Sequence, residues 1–227
     1  MKLLSKGMTN AKTKKNELET YILYLAPADT IRIVNLCPYA SDGCKASCLY
    51  SAGRGAFSNV QQARINKTKY WAGDREGFYM QLTRELLDIQ KRAIKMGNKI
   101  AVRLNGTSDI DHLDLLKRYA GVDWLMSNWL VFYDYTKNPS MVKRYKGTTY
   151  CLTFSRSETN HDTAMDVLKM GGNVAMVFAN ELPVEYSGYK VINGDETDLR
   201  INDEKNVIVG LKAKGKAKQD VTGFVIK

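Results

Sequence analysis

Histidine is nearly missing from this chain: among 227 residues there are two, His112 and His161. They stand far apart. Neither the His-hydrophobe-His metal motif of a rolling-circle nuclease nor the closely spaced histidine pair of a zinc finger can be built from them. Proline is scarce too, with four residues, which excludes a proline-rich disordered chain. No stretch approaches the roughly 18 consecutive apolar residues needed to span a membrane. The opening Met1-Lys-Leu-Leu-Ser5 is too short an apolar segment for a secretory signal, so a soluble cytoplasmic protein is expected. The G-x4-G-K-[ST] phosphate loop is absent. A glycosidase-type carboxylate pair cannot be picked out by spacing, and Asp195 with Asp198 reads equally as a turn.

What remains is ordinary globular material. Hydrophobic residues make up 44% and charged residues 26%, in a length that allows one domain with a substantial core. The formal charge of +10 admits a polyanionic partner such as nucleic acid. Local concentrations of lysine occur at Lys12, Lys14 and Lys15, and again at Lys212, Lys214, Lys216 and Lys218. The second group, alternating with small residues, reads either as a protected sheet edge or as a phosphate-contacting ribbon.

From Ile31 onward the pattern alternates between strand-like and helix-like segments. Strands are expected at 31–36, 99–104, 130–134, 148–154, 173–178, 189–192 and 207–211. Ser58-Asn-Val-Gln61 reads as a capping box opening a polar helix. A longer helix begins near Asp74 with the stripe Phe78, Leu82, Leu86, Ile89, Ala93 and Met96, and stops at Gly97-Asn98. Asp111–Tyr119, the stretch after Asn138-Pro139, and Asn160–Met170 supply further helices. Alternation of this kind predicts an α/β fold with parallel pairing: a partial (β/α) barrel of about six or seven strands, with a doubly wound open sheet as the alternative. Residues 1–30 are expected as an N-terminal extension packed on the barrel, 31–211 as the βα core, and 212–227 as a basic terminal segment.

Both architectures gather functional groups at the carboxyl ends of the strands. Those ends carry Arg103, Asn105, Ser108, Asp109, Asp134 and Ser155, a candidate pocket, although helix caps and turns use the same residue types. Three of the four cysteines fall in one loop, Cys37-x6-Cys44-x3-Cys48, after the run 31–36. Structural zinc sites favour tighter pairs, whereas a cubane cluster tolerates wider spacing and asks only that several thiolates converge. Gly43, Gly53 and Gly55 would let the backbone fold closely around such a body. The spacing therefore points to a [4Fe–4S] cluster, with zinc or unliganded thiols as the alternatives. Cys151, inside a strand, is either a buried small hydrophobe or a fourth ligand.

Several blocks resemble a known family. Leu36-Cys-Pro-Tyr-Ala-Ser41, Cys44-x3-Cys48-Leu49, Ala52-Gly-Arg-Gly55, Arg103-Leu-Asn-Gly-Thr-Ser-Asp-Ile110, Phe132-Tyr-Asp-Tyr-Thr-Lys137 and Phe154-Ser-Arg-Ser-Glu158 are similar to the bacteriophage gene product 88-like proteins. The resemblance continues through Gly194-Asp195, Asp198-x-Arg200, 210–215 and Gly223-Phe224. It implies a phage-encoded protein acting in the cytoplasm of a bacterial host, and it names no reaction.

In plan the chain also resembles the radical S-adenosylmethionine enzymes, partial barrels whose cluster cysteines follow the first strand. That likeness implies S-adenosylmethionine as a second cofactor. The motif departs from the usual C-x3-C-x2-C, and no Gly-Gly-Glu follows a second strand. The expected function is iron–sulfur redox, electron-transfer or radical-type chemistry with a redox partner or small-molecule substrate. A zinc-stabilised nucleic-acid-binding protein is the alternative.

Overall fold

The computed structural model describes residues 1–7 and 17–227, so the lysines at 12, 14 and 15 lie outside the described residues. Among the described residues ten strands form one sheet: β1 (Leu4–Lys6), β2 (Thr20–Leu23), β3 (Ile100–Arg103), β4 (Leu130–Thr136), β5 (Cys151–Ser155), β6 (Asn173–Phe178), β7 (Glu185–Tyr186), β8 (Tyr189–Asn193), β9 (Ile208–Lys212) and β10 (Val225–Ile226). Their order is β1-β2-β3-β4-β5-β6-β9-β8-β7, with β10 against β6. Only the β1–β2 and β7–β8 pairs are antiparallel. The fold is α/β with a mostly parallel, open sheet.

Among the described residues six α-helices accompany it: α1 (Asp42–Ala46), α2 (Ser58–Gly73), α3 (Arg75–Met96), α4 (His112–Ala120), α5 (Pro139–Arg144) and α6 (His161–Lys169). Asp74 caps α3 by accepting from the Gly77 amide at 2.8 Å, and Gly97 ends it at φ 66°, a conformation that favours glycine. Asp111 and Asn138 cap α4 and α5 in the same way. The capping box expected at Ser58 does not form. Ser58 is the first helical residue, and Phe57 stands in the cap position without a side-chain bond.

Strand alternation sends successive side chains to opposite faces. Ile100, Val102, Leu130 and Phe132 join the α3 stripe and Leu113 and Leu116 of α4 in the main core. Phe154, Val174, Met176 and Phe178 join Ala164, Val167 and Leu168 of α6 in a second. Each such fully buried Leu, Phe or Val contributes about 1.5–3 kcal/mol. Met96, the last member of the predicted stripe, is exposed. Ala101 and Tyr133 point the other way, where Leu18, Cys151, Leu199 and Ile201 cover them.

Two expectations about the amino-terminal third are corrected. Residues 31–36 are not a strand. Thr30 N donates to Pro27 O at 3.2 Å, Arg32 N to Asp29 O at 2.9 Å and Leu36 N to Ala28 O at 3.0 Å, a series of turns with Arg32 at φ 55°. Ile33 is 64% exposed, so its β-branched character has no sheet to pack against. Nor are residues 1–30 only an extension, because β1 and β2 belong to the sheet and β2 is parallel to β3. The cysteine loop thus follows β2, the second strand in the chain, after an intervening turn region. The sheet has more strands than expected because β1, β7 and β10 have only two or three residues each, too few to show an alternating pattern.

Candidate metal centre

The cysteine loop is shaped before any side chain meets a ligand. Ala40 N bonds Cys37 O at 3.0 Å, and Ser41 then caps α1 by accepting from the Cys44 amide at 3.2 Å. Cys44 lies within this short helix, and Cys48 stands just beyond its end in extended backbone before the 3-10 turn Leu49–Ser51. Glu158, just beyond β5, grips the turn: Oε2 accepts from Ser41 Oγ and Oε1 from the Gly43 amide, each at 2.8 Å. A Cβ at Gly43 would collide with Thr222 Oγ1 and lie 2.8 Å from Phe224 Cβ. Only glycine allows that approach.

The three loop thiols are half-buried neighbours at the carboxyl rim of the sheet. Cys37 Sγ lies 3.8 Å from Thr107 O in the β3–α4 loop, and Asp109 N donates to Leu36 O at 2.8 Å, fixing the loop's entry. Cys44 packs against the buried cluster of Ala213, Ala217, Phe224 and Val225. Burial pushes the Cys37 thiol up to about 12, and Asp109, Cys48 and Cys44 push the same way. Burial also raises Cys48, Cys44 adds to the rise, and Lys137 and Arg64 oppose it. The four cysteines are free thiols. Among the described residues no group of three or more His, Cys, Asp or Glu side chains is placed to hold a single metal ion.

Cys151 is elsewhere. It opens β5 at the amino end, paired in register with Tyr133, and packs with Ala101, Leu199 and Ile201. Burial raises its thiol, and the Asp203 charge adds to the rise. The structure does not bring it to the other three.

The remaining residues of the expected pocket divide. Asn105 builds the β3–α4 loop: its Oδ1 accepts from Ser108 Oγ and Ile110 N, both at 2.9 Å, and its Nδ2 donates to Ile110 O at 2.8 Å. Asn105 and Ser108 are therefore consumed in holding the rim. Asp134 accepts from Leu104 N at 3.2 Å, Asn105 N at 2.8 Å and Tyr150 Oη at 2.7 Å, and burial raises its carboxyl to about 7 against the pull of Arg103. Arg103 makes two bonds to Asp198, at 3.1 and 2.8 Å, and lies over the Tyr135 ring. Asp109 accepts from Thr136 Oγ1 at 2.6 Å and Lys137 N at 2.9 Å while acting on Cys37, and Ser155 Oγ accepts from Lys137 Nζ at 2.9 Å. Asp109 and Ser155 thus border the cysteine loop, whereas Arg103 and Asp134 form a buried cluster with Asp198 and Tyr133.

Sequence reasoning missed Arg64 and Lys137. Arg64 lies in α2, whose buried residues are Arg64, Lys67, Thr68 and Trp71. Those positions have the i, i+3, i+4, i+7 spacing of a core stripe but are mostly polar, so a hydrophobic pattern cannot find them. Lys67 Nζ donates to Leu3 O at 2.6 Å and Thr68 Oγ1 accepts from Ala26 N at 2.8 Å, which joins α2 to the β1 and β2 region.

Fold and site together define a class: an α/β protein with a mostly parallel sheet and three free cysteines in the loop after β2. The family model described as gene product 88 matches residues 2–227, and the chain belongs to that family. No curated protein and no solved structure matches it.

Proposed function

We propose that Cys37, Cys44 and Cys48 hold a [4Fe–4S] cluster at the mouth of a partial (β/α) barrel, and that the protein carries out redox or radical-type chemistry in the host cytoplasm. The observation that supports this reading is that three free, half-buried thiols share one loop, whereas Cys151 opens β5 at its amino end. Three thiolates from one loop are the ligand chemistry that an iron–sulfur cluster uses. A zinc ion with thiolates at about 2.3 Å requires sulfurs about 3.8 Å apart, whereas a cubane spreads its ligands over separate corners. A cluster with three cysteine ligands leaves one iron for a substrate or a non-cysteine ligand.

The chain's own residues then have defined tasks. Glu158 and the Ser41 cap keep α1 in place. Thr107 and Asp109 fix the turn at Cys37. Lys137 and Arg64 bring positive charge to Cys48, favouring its thiolate. The alternative of a nucleic-acid ribbon at the C-terminus has less support, because Lys212 pairs with Glu181 at 2.9 Å and Lys214 with Asp195 at 2.7 Å. S-adenosylmethionine stays a candidate cofactor through the architectural likeness alone. Anaerobic purification with iron, sulfide and zinc analysis tests the reading. A brown protein with iron and sulfide in equal amounts supports it, and a colourless one carrying about one zinc per chain overturns it.

A further inference from the structure

The long helix α3 packs one face into the main core and exposes three large apolar side chains on another. Met80, Leu87 and Ile94 are 46%, 40% and 50% exposed. They stand at intervals of seven within one unbroken helix, so they fall on one line that drifts only about 20° per interval. At 1.5 Å per residue that line is about 21 Å long. An apolar stripe this narrow is the seam of a helix–helix contact. A helix that lies on a membrane surface buries a far broader apolar face.

The two borders of the seam differ in charge. Arg84 and Lys91 follow Met80 and Leu87 by four residues, and Lys95 follows Lys91 by four, so the three exposed cations line one border. Asp88 is the carboxylate on that border, 3.6 Å from Lys91. Glu85 is turned to another task, its oxygens accepting from Leu3 N and Leu4 N at 2.8 Å each. The opposite border is neutral, with Thr83 and with Gln90, whose Oε1 accepts from Ser127 Oγ at 2.7 Å. A second copy of this chain suits the seam poorly. Packed antiparallel about Leu87, it sets the Arg84 of one copy beside the Lys91 of the other. Packed parallel, it turns the cations toward the neutral border.

We propose that this seam docks an acidic amphipathic helix of a partner protein. Apolar residues of the partner at spacings of three and four rest on Met80, Leu87 and Ile94, and its carboxylates face Arg84, Lys91 and Lys95. The net charge of +10 speeds encounter with such a partner. No cysteine takes part, so the proposal is independent of the metal reading.

Fluorescence anisotropy on the full-length protein tests it with a labelled designed peptide. The probe is a helix of about three heptads with leucine at a and d and glutamate at e and g; a second probe carries lysine in place of glutamate. One acidic peptide per chain is expected to bind, and the lysine peptide is not. Leu87→Gln should weaken binding about tenfold or more, with an unchanged urea midpoint. Arg84→Glu combined with Lys91→Glu should lose the acidic peptide and gain the lysine peptide, an exchange that lost stability does not produce. Failure of the acidic peptide to bind wild type, equal binding of both peptides, or unchanged affinity in the folded variants overturns the proposal. Sedimentation velocity and flotation with phosphatidylserine vesicles examine the other occupants. A dimer of the chain, or vesicle binding, that Leu87→Gln abolishes would overturn the assignment of the seam to a partner helix.

Discussion

Glu158 accepts a hydrogen bond from the Ser41 hydroxyl at 2.8 Å, tying the segment after β5 to the first turn of the cysteine loop. Its other oxygen takes the Gly43 amide, so one carboxylate satisfies two donors of the same short turn. Glu158→Gln puts an amine where one donor needs an acceptor. We expect a loss of about 1–3 kcal/mol, read as a lower urea midpoint with an unchanged m-value. Metal retention should fall in parallel, because the same turn carries Cys44.

The core histidine gives a pH prediction. The Trp71 indole donates to Tyr79 Oη at 2.9 Å, leaving that hydroxyl to donate to His112 Nδ1 at 3.0 Å. Burial lowers His112 to about 3, whereas the unfolded side chain titrates near 6.5. Between those values the unfolded chain binds the extra proton, so stability is lost as pH falls from about 6.5 toward 3. His112→Gln keeps an acceptor for Tyr79 and cannot titrate. Urea midpoints at pH 7 and pH 4.5 should therefore differ less in the variant than in wild type. Asp134, whose raised carboxyl acts in the opposite direction, is common to both proteins.

On the sheet face away from the helices, Arg103 and Asp198 form a two-bond pair that is mostly buried, with Tyr133 Oη donating to Asp198 at 3.2 Å. Removing one partner leaves the other charge uncompensated. Arg103→Met or Asp198→Asn alone should cost about 3–5 kcal/mol. The double variant should cost clearly less than the sum, giving a coupling energy in a double-mutant cycle. Additive losses would show that the pair contributes nothing of its own.

Cys151 packs with Leu199 and Ile201 as a small hydrophobe. Cys151→Ala should lower stability by about 1 kcal/mol and leave the metal content unchanged. Loss of iron in that variant would assign it the fourth ligand position.

Much of this was legible in the sequence and some was not, for physical reasons. The α3 stripe and its caps at Asp74 and Gly97 are visible because a long amphipathic helix repeats its signal over six turns. β2 is hidden because four residues buried on both faces show no alternation. The turns at 31–36 imitate a strand through their β-branched residues, while Arg32 takes a left-handed conformation. The cysteine spacing announced the loop thiols directly. Arg64 stayed invisible because its burial depends on Tyr24 and Tyr50, contacts between distant parts of the chain. Asn105 and Ser108 looked functional since a loop that satisfies its own backbone uses the same side chains as a binding site.

The most direct measurement is iron and acid-labile sulfide per chain, with the visible spectrum, on anaerobically purified wild type, Cys37→Ala, Cys44→Ala, Cys48→Ala and Cys151→Ala. The account predicts about four irons and four sulfides in wild type and in Cys151→Ala, as a [4Fe–4S] cluster requires, and their loss in each of the other three. Wild-type protein free of iron and sulfide after cluster reconstitution, or a cluster that survives the loss of Cys44, would contradict it.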